Sequence, residues 1–190
     1  MIASLFDEPR TFDFGRGLVP ASRHINRNGD KGGWVADTAL VEPTAYIGEN
    51  AVVYGNAQVR DFAKVLDKAS VFNDAQVFDN AVVRCGAKVC GSAIVCETAV
   101  IDSYAHIYGS VTVTSTPVII SGLLYHVMLT DSHITIAHTQ HTPEEWEALS
   151  DEEWSQVGRY ALMWSKHYLP FLLEITRGMT KPMSREPKGN

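Results

Sequence analysis

The chain has 190 residues, 45% hydrophobic and 20% charged, which is enough apolar material for one domain with a sizeable core. Lys and Arg number 16 against 22 Asp and Glu, a net charge of −6, so no broad basic face is offered to a nucleic-acid duplex. No stretch approaches a membrane span, and the opening MIASLFDEPRTF lacks the basic start and apolar run of an export signal, which excludes a membrane partner from the expectation.

Residues 1–34 read as an N-terminal cap. They carry Pro9, Pro20 and a turn-rich stretch from Asn26 to Gly33, with no regular period. Phe12, Phe14, Leu18, Val19 and Trp34 are the apolar side chains available to cover whatever follows. Arg16, Arg23, His24 and Arg27 offer the alternative of an anion pocket at the same end.

From residue 35 to residue 118 a six-residue unit repeats fourteen times without insertion. An aliphatic opens each unit, from Val35, Val41 and Ile47 through Val71 and Val77 to Ile107 and Val113. Four places later stands a small residue, Ala39 through Ala105, then Val111 and Pro117. Asp, Asn, Gly and Ser fill the turn positions between, as in Asn73-Asp74 and Gly91-Ser92. A helix period near 3.6 and a strand period of 2 both fail to place one large aliphatic every six residues. A closed coil of three units succeeds, with the aliphatic filling each side from within and Ala fitting each corner. At 18 residues per coil the run makes about 4.7 coils, whose backbones stack at roughly 4.8 Å.

Units such as IGENAV, VYGNAQ and VCGSAI resemble the hexapeptide-repeat proteins, and the resemblance implies a left-handed parallel β-helix assembled as a homotrimer. The flanks GGWVADTA and SHITIAHTQHTPEEWEALSDEE are similar to a bacteriophage and prophage subgroup often labelled transferases, for which no catalytic motif is known. That likeness implies the cytoplasm of a bacterial host. It agrees with Cys85, Cys90 and Cys96, which have no CxxC spacing and read as reduced filler.

Every third unit shares a side of the coil. One side is expected to show Ala36, Tyr54, Phe72, Cys90 and Tyr108 with Leu40, Gln58, Gln76, Ile94 and Thr112. A second shows Glu42, Arg60, Phe78, Cys96 and Thr114 with Tyr46, Lys64, Val82, Val100 and Val118. The third shows Gly48, Leu66, Arg84 and Asp102 with Val52, Ser70, Lys88 and His106. The first two are largely apolar or aromatic, and such patches mark interfaces. Tyr54, Phe72, Phe78 and Tyr108 are therefore expected to be anchors of the trimer, or else to pack on the chain's own C-terminal helices.

After Pro117 the pattern alternates, and residues 119–141 read as a β-hairpin cap turning at Thr130-Asp131-Ser132. Residues 142–177 read as a helical extension. Thr142-Pro143-Glu144-Glu145 and Ser150-Asp151-Glu152-Glu153 are capping boxes. From Asp151, Trp154, Val157, Ala161, Leu162, Trp164, Tyr168 and Leu169 form one apolar helical face that Pro170 should kink or end. Residues 178–190 have little to bury and read as a flexible tail.

The chemistry points to binding ahead of catalysis. Arg60, Lys64, Arg84 and Lys88, with Tyr54, Tyr108 and His106, could hold a small anionic or nucleotide-like ligand in clefts between subunits, the rings stacking a base. A phage protein of that kind would sequester a host defence signal. The alternative is an acyltransferase using acetyl-CoA or another acyl-CoA as cofactor, with His106 as general base. The loop that the family's acyltransferases extrude from their coils is missing here. A third reading is a structural virion or assembly component. No metal is expected: His133 and His138 differ by an odd number along one strand, and His141 completes no ligand set with them.

Overall fold

The computed structural model describes residues 10–103 and 105–179, so most of the expected tail lies outside the described residues. It forms two compact units, residues 1–116 and 117–190, where composition suggested one domain. The division follows from the repeat, since each coil contacts only its neighbours and adds no common centre.

Unit 1 opens with β1 (Thr11–Asp13), β2 (Leu18–Ile25) and β3 (Lys31–Ala36), paired antiparallel in sequence order. Two-residue strands then recur every six residues: β4 (Leu40–Val41), β5 (Tyr46–Ile47), β6 (Val52–Val53), β7 (Gln58–Val59), β8 (Lys64–Val65), β9 (Ser70–Val71), β10 (Gln76–Val77), β11 (Val82–Val83), β12 (Lys88–Val89), β13 (Ile94–Val95), β14 (Val100–Ile101), β15 (His106–Ile107) and β16 (Thr112–Val113). Each pairs parallel with the strand 18 residues away, as Val53 pairs with Val71 and Val77 with Val95. Three sheets result, in the orders β3-β6-β9-β12-β15, β4-β7-β10-β13-β16 and β5-β8-β11-β14. This is a parallel β-solenoid with the expected inward aliphatics: Ile47, Val53, Val59, Val65, Val71 and Val77 are all 0% exposed, as are Ala51, Ala57, Ala63 and Ala69.

The corners explain the turn residues. In most coils the Ala N–H bonds the carbonyl three residues back, as Ala63 does to Arg60 at 3.2 Å. That turn puts φ near +55° at Asp61, Asp67, Asn73, Asp79, Cys85, Glu97 and Ser103, a region Asp and Asn tolerate better than most residues. Gly55 and Gly91 occupy the same corner position with φ of +70° and +69°, and there a Cβ would lie 2.8 Å from a backbone nitrogen of the next coil. Carboxylates add a ladder along another corner: Asp61 accepts from the Asp79 N–H at 3.2 Å, and Asp79 from the Glu97 N–H at 3.0 Å.

The boundary expected at residue 34 falls inside β3, because the cap continues the sheet instead of lying over it. The turn-rich stretch is the β2–β3 hairpin, closed by Gly29 N–H to the Asn26 carbonyl at 2.8 Å. Asn26 is 2% exposed; its amide donates to the Ile47 carbonyl at 3.0 Å and accepts from the Ile47 N–H at 2.9 Å, so one side chain completes the free backbone edge of β5. Gly32 and Gly33 permit this approach, since a Cβ on Gly33 would lie 1.9 Å from the Ala51 carbonyl oxygen. Arg23 donates from Nη1 to the carbonyls of Gly32 and Glu49 and lies over the Trp34 ring.

Unit 2 holds a four-stranded antiparallel sheet, β17 (Val118–Ile120), β18 (Val127–Leu129), β19 (Ile134–Ile136) and β20 (Thr139–His141), in sequence order. The expected hairpin is its centre, β18 and β19. Helices α1 (Pro143–Ala148), α2 (Asp151–Val157) and α3 (Ala161–Met179) follow, the first two starting on the capping boxes of Thr142 and Ser150. Trp146, Trp154, Trp164, Leu172 and Leu173 pack with Val127, Leu129, Ile134 and Ile136 into its core.

Two helix expectations are corrected. The helix from Asp151 breaks at Gly158, where a Cβ would stand 2.6 Å from the Tyr125 hydroxyl oxygen; that hydroxyl accepts the Tyr160 N–H at 3.2 Å. Pro170, expected to kink or end the helix, does not end α3, which continues to Met179. Pro170 and Lys166 are both exposed, so water can serve the carbonyl left without its helical partner.

Candidate functional site

In a strand the residues before and after an inward side chain both point outward. One outer face of the solenoid therefore carries two columns, Val52, Ser70, Lys88 and His106 beside Ala36, Tyr54, Phe72, Cys90 and Tyr108. This corrects the expected sides, which joined residues across a corner. Of the candidate ligand-binding residues, Tyr54, Lys88, His106 and Tyr108 share this face, Arg60 belongs to the face of β7, and Lys64 and Arg84 to that of β8 and β11. Arg60 donates to Gln76 Oε1 at 2.9 Å and lies over the Phe78 ring, while Arg84 pairs with Asp102 at 3.2 Å. The structure thus splits the seven residues among three faces.

The shared face is an aromatic column. Tyr54 and Phe72 stack at 4.9 Å with their planes 2° apart. In the first coil the column holds only the methyl of Ala36, and β1 and its following turn supply the missing rings: Phe14 stacks on Tyr54 at 4.7 Å, and Phe12 stacks on Trp34 at 4.9 Å. Phe12 and Phe14 were expected to seal the interior of the solenoid, and Leu18 and Val19 with them. Instead the two Phe residues cover its outside, while Leu18 and Val19 stay exposed. Within the chain, the cover of Tyr54 is thus the N-terminal arm, where the expectation was a trimer anchor or else packing on the C-terminal helices. The signal lay in TFDFG, whose alternation places both rings on one side.

Asp13 fixes the arm's turn by accepting the N–H groups of Gly15 at 2.7 Å and Gly17 at 2.9 Å, which hold its carboxyl below the usual range. Arg16 sits between those glycines, and its charge reaches the Tyr54 phenol; burial nevertheless pushes that phenol up. Beneath the arm lies a cavity of about 420 Å³ bounded by Phe14, Arg16, Val19, Ala36, Asp37 and Tyr54, among others.

Farther along the face, Cys90 Sγ lies 3.2 Å from His106 Nε2, and the His106 ring is 5.2 Å from that of Tyr108. Burial pushes the Cys90 thiol up, with Lys88 pulling the other way, and pushes the Tyr108 phenol up too. A thiol kept protonated is a poor nucleophile. In unit 2, His141 pairs with Glu145 at 3.5 Å, and burial holds His133 below its ordinary value. Among the described residues no group of three or more His, Cys, Asp or Glu is placed to hold a metal ion, and no helix is long and apolar enough to cross a membrane.

Compared with known proteins, the chain finds no matching family model, curated protein or solved structure.

Proposed function

We propose that the chain is a non-catalytic, homotrimeric binding protein of the bacteriophage type that holds a small anionic or nucleotide-like ligand in clefts between subunits, sequestering a host defence signal. One observation carries this reading: Tyr54 and Tyr108 lie in the same column of one face, with Lys88 and His106 in the column beside them. The edges of these rings offer a planar base an apolar surface, and the neighbouring cation offers a phosphate its counter-charge. Three copies meeting along such faces would enclose the ligand and bury the aromatic column. The test is the native mass of the purified protein together with the small molecules released from it on denaturation. A trimer carrying a nucleotide whose affinity falls roughly tenfold in Lys88→Ala supports the reading; a monomer sinks it.

An acyltransferase using an acyl-CoA is the second reading, favoured by the placement of His106 beside Cys90 and Tyr108 on the same face. Acetyl-CoA turnover that disappears in His106→Ala would establish it and displace the first.

A further inference from the structure

The cavity under the N-terminal arm belongs to a single chain and does not depend on assembly. Its walls are apolar: the rings of Phe14 and Tyr54, the side chains of Val19 and Ala36, and the backbone at Gly17 and Gly55. Its volume of about 420 Å³ falls within the range of small-molecule sites, roughly 300–1,000 Å³. The space exists for a reason visible in the column. The column position on one side of Tyr54 is the ring of Phe72, but on the other the first coil has Ala36, and Phe14 restores the stack from outside without refilling the room next to the methyl group.

The charged lining is one cation and one anion, Arg16 and Asp37, both exposed and so at the mouth. Neither position is free to drift. Asp13 pins the turn on both sides of Arg16, and the Asp37 N–H bonds the Pro20 carbonyl at 3.0 Å. Thr38 directs its hydroxyl to the Gly55 carbonyl, which leaves the apolar wall without an unpaired acceptor at that corner. A nucleobase would bury polar edges against such walls with nothing to bond them, at a cost. A ring with no polar edge beyond one donor keeps that cost smallest.

We infer that this cavity binds a free aromatic amino acid or a close relative, with the ring inside against Tyr54, the carboxylate at Arg16 and the ammonium at Asp37. A zwitterion on an apolar planar body is the ligand class that uses both mouth charges and both wall rings. The site shares Tyr54 with the inter-subunit cleft proposed above, but its lining comes from one chain and would persist in a monomer.

Equilibrium dialysis of the full chain with labelled L-tryptophan tests it, with tryptamine, indole-3-acetate and indole as competitors. L-tryptophan should bind up to roughly fivefold more tightly than either singly charged analogue, the span expected for exposed ion pairs. Arg16→Gln should bring L-tryptophan down to the level of tryptamine, and Asp37→Asn down to indole-3-acetate. Val19→Trp, which fills the cavity from an exposed position, should abolish binding while circular dichroism confirms the fold. The inference is overturned by absence of L-tryptophan binding at millimolar concentration, by indole binding as tightly as L-tryptophan, or by undiminished binding to a folded Val19→Trp variant. Nucleotide binding that survives Val19→Trp would leave the inter-subunit reading intact while this one fails or stands on the other results.

Discussion

The two units bury their apolar residues by opposite strategies. Unit 1 spends one valine or isoleucine and one alanine per six residues, and among its described residues no core side chain is larger than isoleucine. Unit 2 gathers Trp146, Trp154, Trp164, Leu172 and Leu173 into one cluster over a small sheet. Hydrophobic stabilisation follows area, so both can be stable, but they distribute it differently. In unit 1 the same small increment is repeated along a line, and the parallel ladder ties each coil to the next. In unit 2 a few large side chains are shared by every element, so one truncation reaches them all.

Trp146→Ala is the hardest blow to that contrast. Trp146 is fully buried and donates its Nε1–H to the Ile134 carbonyl at 2.8 Å, so the variant loses packing and strands a strand carbonyl. A loss of about 3–5 kcal/mol is expected, read in calorimetry as a lowered transition for unit 2 and an unmoved one for unit 1. Movement of both would show that the units unfold together.

Val77→Ala makes the equivalent cut in the middle of unit 1. Val77 is fully buried between the coils of Val59 and Val95. Its loss should cost about 2 kcal/mol, measured by chemical denaturation, and a cost equal to that of Trp146→Ala would erase the distinction.

Glu97→Gly sharpens the comparison in the other direction. Glu97 holds φ of 56° at a corner where Gly55 and Gly91 show what the backbone prefers. The substitution should stabilise unit 1 by about 0.5 kcal/mol, the left-handed strain removed less the entropy glycine adds to the unfolded chain. A destabilised variant would mean that the side chain contributes more than the strain.

Acid should separate the units most gently. His24 in unit 1 and His133 in unit 2 are both held below 6.5, chiefly by burial. A lowered folded pKa means that the unfolded chain binds protons first, so this stability is present above pH 6.5 and is lost as pH falls through the folded values. Each unit has a further carboxylate step: unit 1 has one such group, Asp13, held low by the N–H groups of Gly15 and Gly17, and unit 2 has two. Glu145 and Glu153 are held below 4.5 by the N–H groups of Thr142 and Ser150, and that contribution drains away below pH 4.5. Helix signal followed by circular dichroism should therefore fall further under acid than sheet signal, and Glu145→Gln with Glu153→Gln should flatten that second step.

How much of this could be read in the sequence depends on how local the cause is. The coil period was legible because Val53, Val71 and Val77 report the same inward pocket at each turn, and the capping boxes because Thr142 and Ser150 act within one helical turn. The grouping of outward residues was misread because Tyr54 was placed with Gln58, although a corner at Gly55 lies between them; strict alternation about Val53 joins Tyr54 to Val52. The arm was missed because its contacts span the chain. Nothing near Phe14 in sequence says that Ala36 leaves a gap in a column begun at Tyr54. Gly158 was passed over for the same reason, since its constraint is the ring of Tyr125, far earlier in the chain.

The side chain of Asn26 has a consequence for solubility at large. A stack of parallel strands ends in backbone groups ready to template another copy, and end-to-end growth of such stacks is the route to fibres. By donating to and accepting from Ile47 at once, Asn26 occupies that template on β5 with a group that offers no continuation. A carboxamide thereby closes the β5 edge to pairing with another copy.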